Sequence, residues 1–145
     1  MPIDSFKDEY EFLSNFYECS IPYLGLTFRN AEAAFQAAKT INAEERKEFV
    51  SLSASQAKRK GRRVKLRSDW EQVKTTVMRE VLGIKFLDPE LSSKLLATGN
   101  EELIEGNTWN DRFWGVCRGS GRNVLGKLLM EIREDLMLDS DMQPT

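Results

Sequence analysis

The chain has 145 residues, of which 41% are hydrophobic and 30% are charged, and its formal net charge is −2. These values are typical of one globular domain, and the absence of an apolar stretch of about 18 residues and of a basic, apolar leader argues against a membrane span or secretion, so we expect a cytoplasmic protein. The chain contains no histidine, which excludes histidine-based nucleophilic catalysis and histidine-ligated metals, so we expect no metal and no cofactor.

The first predicted elements are a small β-hairpin and a helix. Residues 17–21 and 24–29 predict two strands that flank a turn at Pro22 and Tyr23. Asn30 then precedes the segment AEAAFQAAK, whose apolar residues recur at helical spacing. We therefore expect a helix that begins directly after Asn30.

Further short helices are predicted by polar pairs of the capping-box type, in which two side chains three residues apart bond to the free backbone groups of a helix start. These pairs predict helices that begin near residues 43, 54 and 69. They are Asn42 with Glu45, Ser53 with Gln56, and Ser68 with Glu71. Asp88 followed by Pro89 predicts another helix, which Gly99 ends.

Positive charge is concentrated between residues 58 and 67, while the rest of the chain has an acidic excess. Such a patch suits a phosphate, carried either by a small molecule or by nucleic acid. The alternative is a solvated helix face that only aids solubility. Seven of these ten residues are basic and none is acidic, namely Lys58, Arg59, Lys60, Arg62, Arg63, Lys65 and Arg67.

Residues 107–126 combine aromatic and polar side chains in a way that suits the wall of a ligand pocket. Trp109 and Trp114 offer flat faces to a planar ring, and Asp111 lies between them, which suits a nucleoside-like ligand. Alternatively, both tryptophans anchor a core and Asp111 caps a turn. Residues 112–117 predict a strand within this segment.

The C-terminal part predicts a long helix, because apolar residues recur at helical spacing between Leu125 and Leu136. Residues 139–145 have too little apolar content to remain ordered, so we predict one domain over residues 1–138 and a disordered tail. Taken with the earlier elements, this predicts a mainly helical α+β single domain with a small β-sheet.

Four segments together resemble the YbiA-like NADAR family, whose name denotes NAD- and ADP-ribose-associated proteins. The resemblance spans about residues 6–137, and it implies a mainly helical fold that hydrolyses N-glycosidic bonds. The implied substrates are either ribosylamino-pyrimidine phosphates of the riboflavin pathway or ADP-ribose attached to guanine bases. The segments are FLSNFY at 12–17, NAEAAFQAAK at 30–39, GRRVKLRSDW at 61–70, and NDRFWG with GRNVLGKLLMEIR within 110–133.

The resemblance also implies roles for individual residues. Glu32 matches the glutamate of the family's Glu-His helix motif, and Lys39 matches the lysine that ends this motif. Ala33 stands where the family has the histidine, which leaves open whether this chain keeps the family's substrate or only its pocket. Other matches are Asn15 in the Leu-Ser-Asn-Phe segment at the ligand, Arg67, Asp69 and Trp70 in the Arg-x-Asp-Trp segment, and Asp111, Trp114 and Gly115 in the Asp-x-x-Trp-Gly motif.

The chemistry of N-glycosidic hydrolysis makes Glu32 the leading candidate for catalysis. Cleavage passes through an oxocarbenium-like cation, which a carboxylate near C1′ stabilises while it accepts a proton from water. Helical spacing places Phe35, Gln36 and Lys39 beside Glu32, and we expect these side chains to bind substrate. The alternative is that Glu32 only occupies a first turn, where the helix dipole favours a carboxylate.

The other candidate residues have supporting roles. Asp111 is the candidate second carboxylate, and Trp114 or Trp70 is expected to stack on the departing base, although Trp70 also suits a core position on its own helix. Arg67 is the candidate ligand of a substrate phosphate, because its planar fork binds two oxygens at once.

We therefore expect a metal-independent N-glycosidase that acts on a small phosphorylated N-riboside. One alternative is the removal of ADP-ribose from guanine in nucleic acid, and another is a non-catalytic module that binds a nucleotide or ADP-ribose. The basic residues are concentrated rather than dispersed, which favours one or two phosphates over a polymer.

Overall fold

The computed structural model describes residues 1–142, and it describes side chains for residues 1–139. The chain groups into two compact units. We call Asn15–Lys85 the central unit, and Met1–Ser14 with the chain from Phe86 onward the terminal unit. The prediction of a mainly helical α+β fold with little β-structure is confirmed, whereas the domain boundary at residue 138 stays a prediction.

The central unit contains one β-hairpin and four helices. Its strands are β1 (Glu18–Tyr23) and β2 (Leu26–Asn30). Its helices are α1 (Ala31–Ala37), α2 (Ala43–Lys47), α3 (Ala54–Gly61) and α4 (Trp70–Lys85).

The hairpin turn differs from the sequence prediction. Tyr23 pairs with Leu26, so the turn residues are Leu24 and Gly25, and their φ angles are 55° and 75°. Two consecutive residues with positive φ form the turn whose twist matches that of the two strands. The prediction of a Pro22-Tyr23 turn is therefore wrong. Pro22 lies inside β1 instead, where a two-stranded sheet leaves open edges that tolerate a residue without N–H.

The predicted helix starts of the central unit are largely observed. The Asn30 side chain accepts a hydrogen bond from the Ala33 amide at 2.7 Å, and Asn42 caps α2 in the same way. Ser53 and Gln56 form both bonds of a capping box at the start of α3. Helix α4 begins at Trp70, one residue after the predicted start.

Helix α1 lies in the core of the central unit. All seven of its residues are buried, and it contacts β1, β2, α3 and α4. Its alanines allow these elements to approach closely, because a methyl group occupies little space. Within α1, only Glu32 and Gln36 have polar side chains, and they lie one turn apart on the same side of the helix.

The terminal unit contains the remaining elements of the described chain. A 3-10 helix covers Asp8–Leu13, α5 covers Pro89–Ala97 and α6 covers Val124–Met142, and the short strands β3 (Gly106–Asn107) and β4 (Val116–Cys117) pair in parallel. Asp88 caps α5, and Gly99 follows that helix with a φ of 64°, as predicted. Helices α5 and α6 pack on each other through buried leucines and an isoleucine, namely Leu91, Leu95, Leu125, Leu128, Leu129 and Ile132.

Two predictions for the terminal unit need correction. Only Val116–Cys117 of the predicted strand 112–117 is extended in a sheet, because a turn capped by Asp111 occupies the residues before it. Helix α6 continues to Met142, so residues 139–142 of the predicted tail are helical. Extending an existing helix costs little, since each added residue gains a backbone hydrogen bond. Residues 143–145 lie outside the described residues.

Candidate active site

Glu32 is a buried carboxylate at the first turn of α1, with a relative exposure of 9%. Its backbone amide donates a hydrogen bond to the Asn15 carbonyl at 3.0 Å. Its Oε2 atom accepts a hydrogen bond from Gln36 Nε2 at 2.5 Å. The position suits the helix dipole, but a carboxylate that served only the dipole would gain nothing from burial, since desolvation disfavours its charge.

Asn15 lies next to this helix start in the central unit, and its side chain is buried. The amide nitrogen donates to the Met78 sulfur at 3.4 Å, while the Oδ1 atom is buried without a hydrogen-bond partner in the described structure. Buried acceptors are normally paired, so such an oxygen suits a hydroxyl or N–H group of a ligand.

Lys39 follows the C-terminal end of α1 and is partly buried. Burial lowers the pKa of its ammonium group, and the nearby Glu32 carboxylate opposes this effect. Arg62 and Lys74 lower the pKa of Lys39 further by repulsion. A carboxylate and a cation therefore act on each other along α1, as the helical spacing predicts.

Arg67 and Asp69 bind each other. Arg67 donates from Nε to Asp69 Oδ1 at 2.6 Å and from Nη2 to Oδ2 at 3.1 Å. The same guanidinium donates to the Ala38 carbonyl at 3.4 Å, and the Arg67 amide donates to the Lys39 carbonyl at 2.7 Å. The hydrogen bond from Arg67 lowers the pKa of Asp69. Asp69 thus occupies the fork that was predicted to bind phosphate, and the pair holds residues 67–69 against the end of α1.

Phe35 and Trp70 are core residues of the central unit. Both rings are buried, and their centroids lie 5.1 Å apart at an interplanar angle of 56°. A ring in this setting presents almost no face to a ligand. Of the two interpretations of Trp70, the structure favours the core position over stacking on a base.

Asp111 and Trp114 belong to the terminal unit, where Asp111 organises a turn. Its Oδ1 atom accepts hydrogen bonds from the amides of Phe113 at 3.1 Å and Trp114 at 2.9 Å. Asn107 brackets the same residue, since its side chain bonds to both the amide and the carbonyl of Asp111. Trp114 is half-buried, and Trp109 is 56% exposed, so Trp109 is not a core anchor.

Two residues contribute to these arrangements in ways that the sequence did not indicate. Gly61 lies among the basic residues 58–67, which we call the basic run, but its backbone lies against the Gln36 side chain, and a Cβ atom there would lie 2.6 Å from Gln36 Cδ. Asn107 was not singled out at all. The only signal for it was its spacing of four residues before Asp111, which many unrelated sequences share.

The basic run covers the end of α3 and the loop that follows. Lys60 pairs with Glu48 at 3.0 Å, which neutralises part of the charge. The side chains exposed to solvent are Arg59, Arg62, Arg63 and Lys65. These cations are accessible to a phosphate, and they are equally compatible with a solvated face.

Neither a metal-ligating cluster nor a membrane-spanning helix is present among the described residues. They contain no group of three or more cysteine, aspartate or glutamate side chains placed to hold a metal ion. Within the same residues, no helix is both long and apolar enough to span a membrane.

Comparison with known proteins identifies the family. The sequence model of the NADAR domain matches residues 4–137. The chain belongs to the NADAR domain family. This confirms the resemblance that the four sequence segments indicated.

Individual NADAR relatives agree with this assignment. N-glycosidase YbiA of Escherichia coli is 43% identical over 140 residues, which cover 93% of this chain and 87% of YbiA. A riboflavin biosynthesis protein of Vibrio vulnificus is 39% identical over 134 residues, covering 89% of this chain and 36% of that protein. The NMR structure of E. coli YbiA matches with a TM-score of 0.87 at 38% identity, covering all of this chain and 89% of the YbiA chain.

Proposed function

We propose that this chain is an N-glycosidase that hydrolyses the bond between ribose C1′ and a base nitrogen in a small phosphorylated N-riboside. The observation that carries the proposal is the buried Glu32 carboxylate on α1, hydrogen-bonded to Gln36, in a chain whose NADAR relatives include proteins named N-glycosidases. The relative named as a riboflavin biosynthesis protein supports a ribosylamino-pyrimidine type of substrate.

Glu32 carries the chemical step in this proposal. The C1′–N bond breaks with its electron pair going to the base nitrogen, and positive charge develops on the ribose ring. The carboxylate stabilises this charge and takes a proton from the water whose oxygen bonds to C1′, while the departing nitrogen gains a proton. Burial strengthens the electrostatic part, because little water screens the carboxylate from the cation.

Asn15 and Lys39 bind the substrate beside Glu32. The unpaired Oδ1 of Asn15 accepts a hydrogen bond from a ribose hydroxyl or a base N–H. Lys39 supplies an ammonium group that acts on the same carboxylate. Its lowered pKa makes it a better proton donor to the leaving nitrogen than an ordinary lysine.

Asp111 and Trp114 are the candidate ligand-binding residues of the terminal unit. Oδ1 of Asp111 holds its turn, while Oδ2 has no protein partner in the described structure and suits a ribose hydroxyl. The half-buried ring of Trp114 suits stacking on the base. We retain Phe35 and Trp70 as supports of α1 rather than as ligands.

The substrate phosphate is assigned to the cations beside the end of α1. Arg67 remains the first candidate, although a phosphate must compete with Asp69 for its fork. Arg62 and Arg63 are exposed on the preceding segment, and their guanidinium groups are suited to bind the same phosphate.

The proposal is tested by mass spectrometry of the purified protein after incubation with a panel of N-ribosides. The panel contains phosphorylated and dephosphorylated forms of each compound, with and without excess EDTA, and Glu32→Gln is the catalytic control. Release of free base in EDTA by the wild type but not by the variant supports the proposal. Binding without turnover of any member would contradict it and favour a non-catalytic module.

Removal of ADP-ribose from guanine in nucleic acid is the second candidate, because the exposed cations of the basic run are accessible to nucleic-acid phosphates. ADP-ribosylated oligonucleotides therefore belong in the same panel. Faster cleavage of these than of every mononucleotide would promote this candidate to first place.

A further inference from the structure

Glu32 and Gln36 form a buried pair on α1. The Gln36 amide nitrogen donates to Glu32 Oε2 at 2.5 Å, and Gln36 itself is 5% exposed. The other end of the amide, Oε1, is buried without a hydrogen-bond partner in the described residues. The hydrogen bond to Glu32 therefore accounts for the nitrogen of the amide, whereas no hydrogen bond in the described residues holds its oxygen.

Gly61 explains the orientation of the Gln36 amide. A Cβ atom at position 61 would overlap Gln36 Oε1, and it would lie 2.6 Å from Cδ and 3.2 Å from Cβ of the same side chain. The amide therefore fills the space that a side chain at position 61 would occupy. The neighbours on this face of α3 are also small, since Ala54 and Ala57 are buried.

The backbone conformation does not require glycine at position 61. Gly61 is the last residue of α3, and it is absent from the glycines with positive φ, which are Gly25, Gly99, Gly119 and Gly121. Alanine is the better helix former at such a position. Close packing against Gln36 is the feature of this structure that accounts for the glycine.

We propose that Gln36 is a positioning residue that orients the Glu32 carboxylate for N-glycosidic hydrolysis, and that Gly61 keeps the Gln36 amide in place. This inference rests on the proposed catalytic role of Glu32. It assigns Gln36 to the carboxylate rather than to the substrate. Gly61, which lies within the basic run, thereby affects the chemical step indirectly, through Gln36 and Glu32.

The reason for such a device is the freedom of a glutamate side chain. A carboxylate that acts on C1′ and on a water molecule must keep one oxygen directed at each, and a misplacement of about 1 Å costs on the order of a hundredfold in rate. The bond from Gln36 holds Oε2 and so restricts the rotation of the carboxylate as a whole.

The test is a double-mutant cycle between Gln36→Met and Gly61→Ala, with kcat and KM measured separately. Methionine keeps the length of the side chain but cannot donate to Glu32. We expect each single variant to lower kcat about ten- to a hundredfold with KM changed less than about threefold, because the interaction acts mainly in the transition state. The double variant is expected to lose no more than the worse single variant, since both changes break the same hydrogen bond.

The matched control is Gly83→Ala, also a helical glycine of the central unit, where the nearest atom to an added Cβ is Arg79 Nη1 at an ordinary 3.5 Å. We expect it to retain wild-type kinetics. Losses that multiply in the double variant, or a normal kcat in Gln36→Met, would overturn the positioning role.

A measurement that is independent of activity separates this inference from the proposed function. The NMR signal of the Glu32 carboxyl carbon is assigned because it is absent from the spectrum of Glu32→Gln. The chemical shift of this signal is then followed as a function of pH in the other variants, which gives the midpoint of the titration. Its midpoint should rise in Gln36→Met and in Gly61→Ala, because the lost donor stabilised the charged form. If the midpoint rises while Glu32→Gln remains active, the positioning contact stands and the proposed function fails. If Glu32→Gln is inactive and neither the midpoint nor kcat changes in Gln36→Met, the positioning role is wrong.

Discussion

Arg67 and Asp69 form an ion pair through two parallel hydrogen bonds, at 2.6 Å and 3.1 Å, in the loop between α3 and α4. The guanidinium also reaches the Ala38 carbonyl, so the pair ties this loop to the end of α1. A substrate phosphate that binds Arg67 must either displace Asp69 or share the guanidinium with it. Because the phosphate and Asp69 compete, substitution of either Arg67 or Asp69 tests the assignment of the phosphate to Arg67.

We expect Arg67→Ala to weaken binding of a phosphorylated substrate about ten- to a hundredfold, because a charge-assisted contact contributes roughly 1.5–3 kcal/mol. Asp69→Asn should strengthen it by releasing the guanidinium. Titration calorimetry with phosphorylated and dephosphorylated forms of one ligand measures both effects. Lys47→Ala, which removes an exposed cation paired with Glu44, is the control and should leave the affinity for both ligand forms unchanged. Equal weakening of both ligand forms by Arg67→Ala would mean that Arg67 is structural.

Glu32→Gln is expected to lower turnover by at least about a hundredfold with the fold intact, since the charge that stabilises the cation and the base that accepts the proton are both lost. Substrate affinity should change much less. Glu44→Gln is the matched control, because Glu44 occupies the first turn of α2 but is exposed to solvent. Initial rates and circular dichroism of the three proteins measure the effect. Near-normal turnover in Glu32→Gln would assign the chemistry to another group, with Asp111 first.

Lys85 is expected to make stability depend on alkaline pH. Its side chain is only 1% exposed, and burial lowers the pKa of Lys85 to about 8, against 10.5 for an unperturbed lysine. The unfolded chain therefore binds more protons between these two values, so the free energy of unfolding should rise with pH across this window. Below about pH 8 the buried charge destabilises the protein in full, by roughly 3 kcal/mol.

Lys85→Met should remove this destabilisation near neutral pH and flatten the rise above pH 8. Urea unfolding of both proteins at pH values on either side of the window measures the difference. The Lys85 ammonium lies 5.7 Å from the centroid of the Tyr17 ring. Lys94→Met is the control, because the Lys94 ammonium likewise lies 5.9 Å from the centroid of the Phe12 ring, but its side chain is 44% exposed. A variant at position 85 that is less stable than the wild type near pH 7 would show that other interactions of this lysine outweigh its desolvation.

The salt dependence of binding is expected to be shallow. Four cations of the basic run are exposed, and the surrounding chain has an acidic excess that repels a strand extending beyond them. A ligand with one or two phosphates should give a log–log slope of about −1 to −2, whereas nucleic acid contributes roughly −0.7 to −0.9 for each phosphate contacted. Fluorescence anisotropy of a modified oligonucleotide and of the matching mononucleotide, at low and high salt, measures both. A slope steeper than about −3 for the oligonucleotide would favour the nucleic-acid substrate.

The helix starts and the family were predictable from the sequence because their signals are local. The side chain of Asn30 caps α1 through an amide three residues away, and Ser53 and Gln56 bond within one turn of α3. Likewise, the family motif places Glu32 and Lys39 on one short segment. Such contacts depend on spacing along the chain, which the sequence contains directly.

The tertiary structure alone decided which of two locally acceptable arrangements is adopted. Pro22 permits a turn, but pairing of Tyr23 with Leu26 moves the turn to Leu24 and Gly25. Trp70 suits a pocket or a core until its ring is seen to pack on Phe35. Nothing near Gly61 in sequence indicates that its missing side chain makes room for Gln36, which is 25 positions away along the chain. In these cases the deciding energy comes from packing between distant segments, and the sequence alone does not say which segments meet.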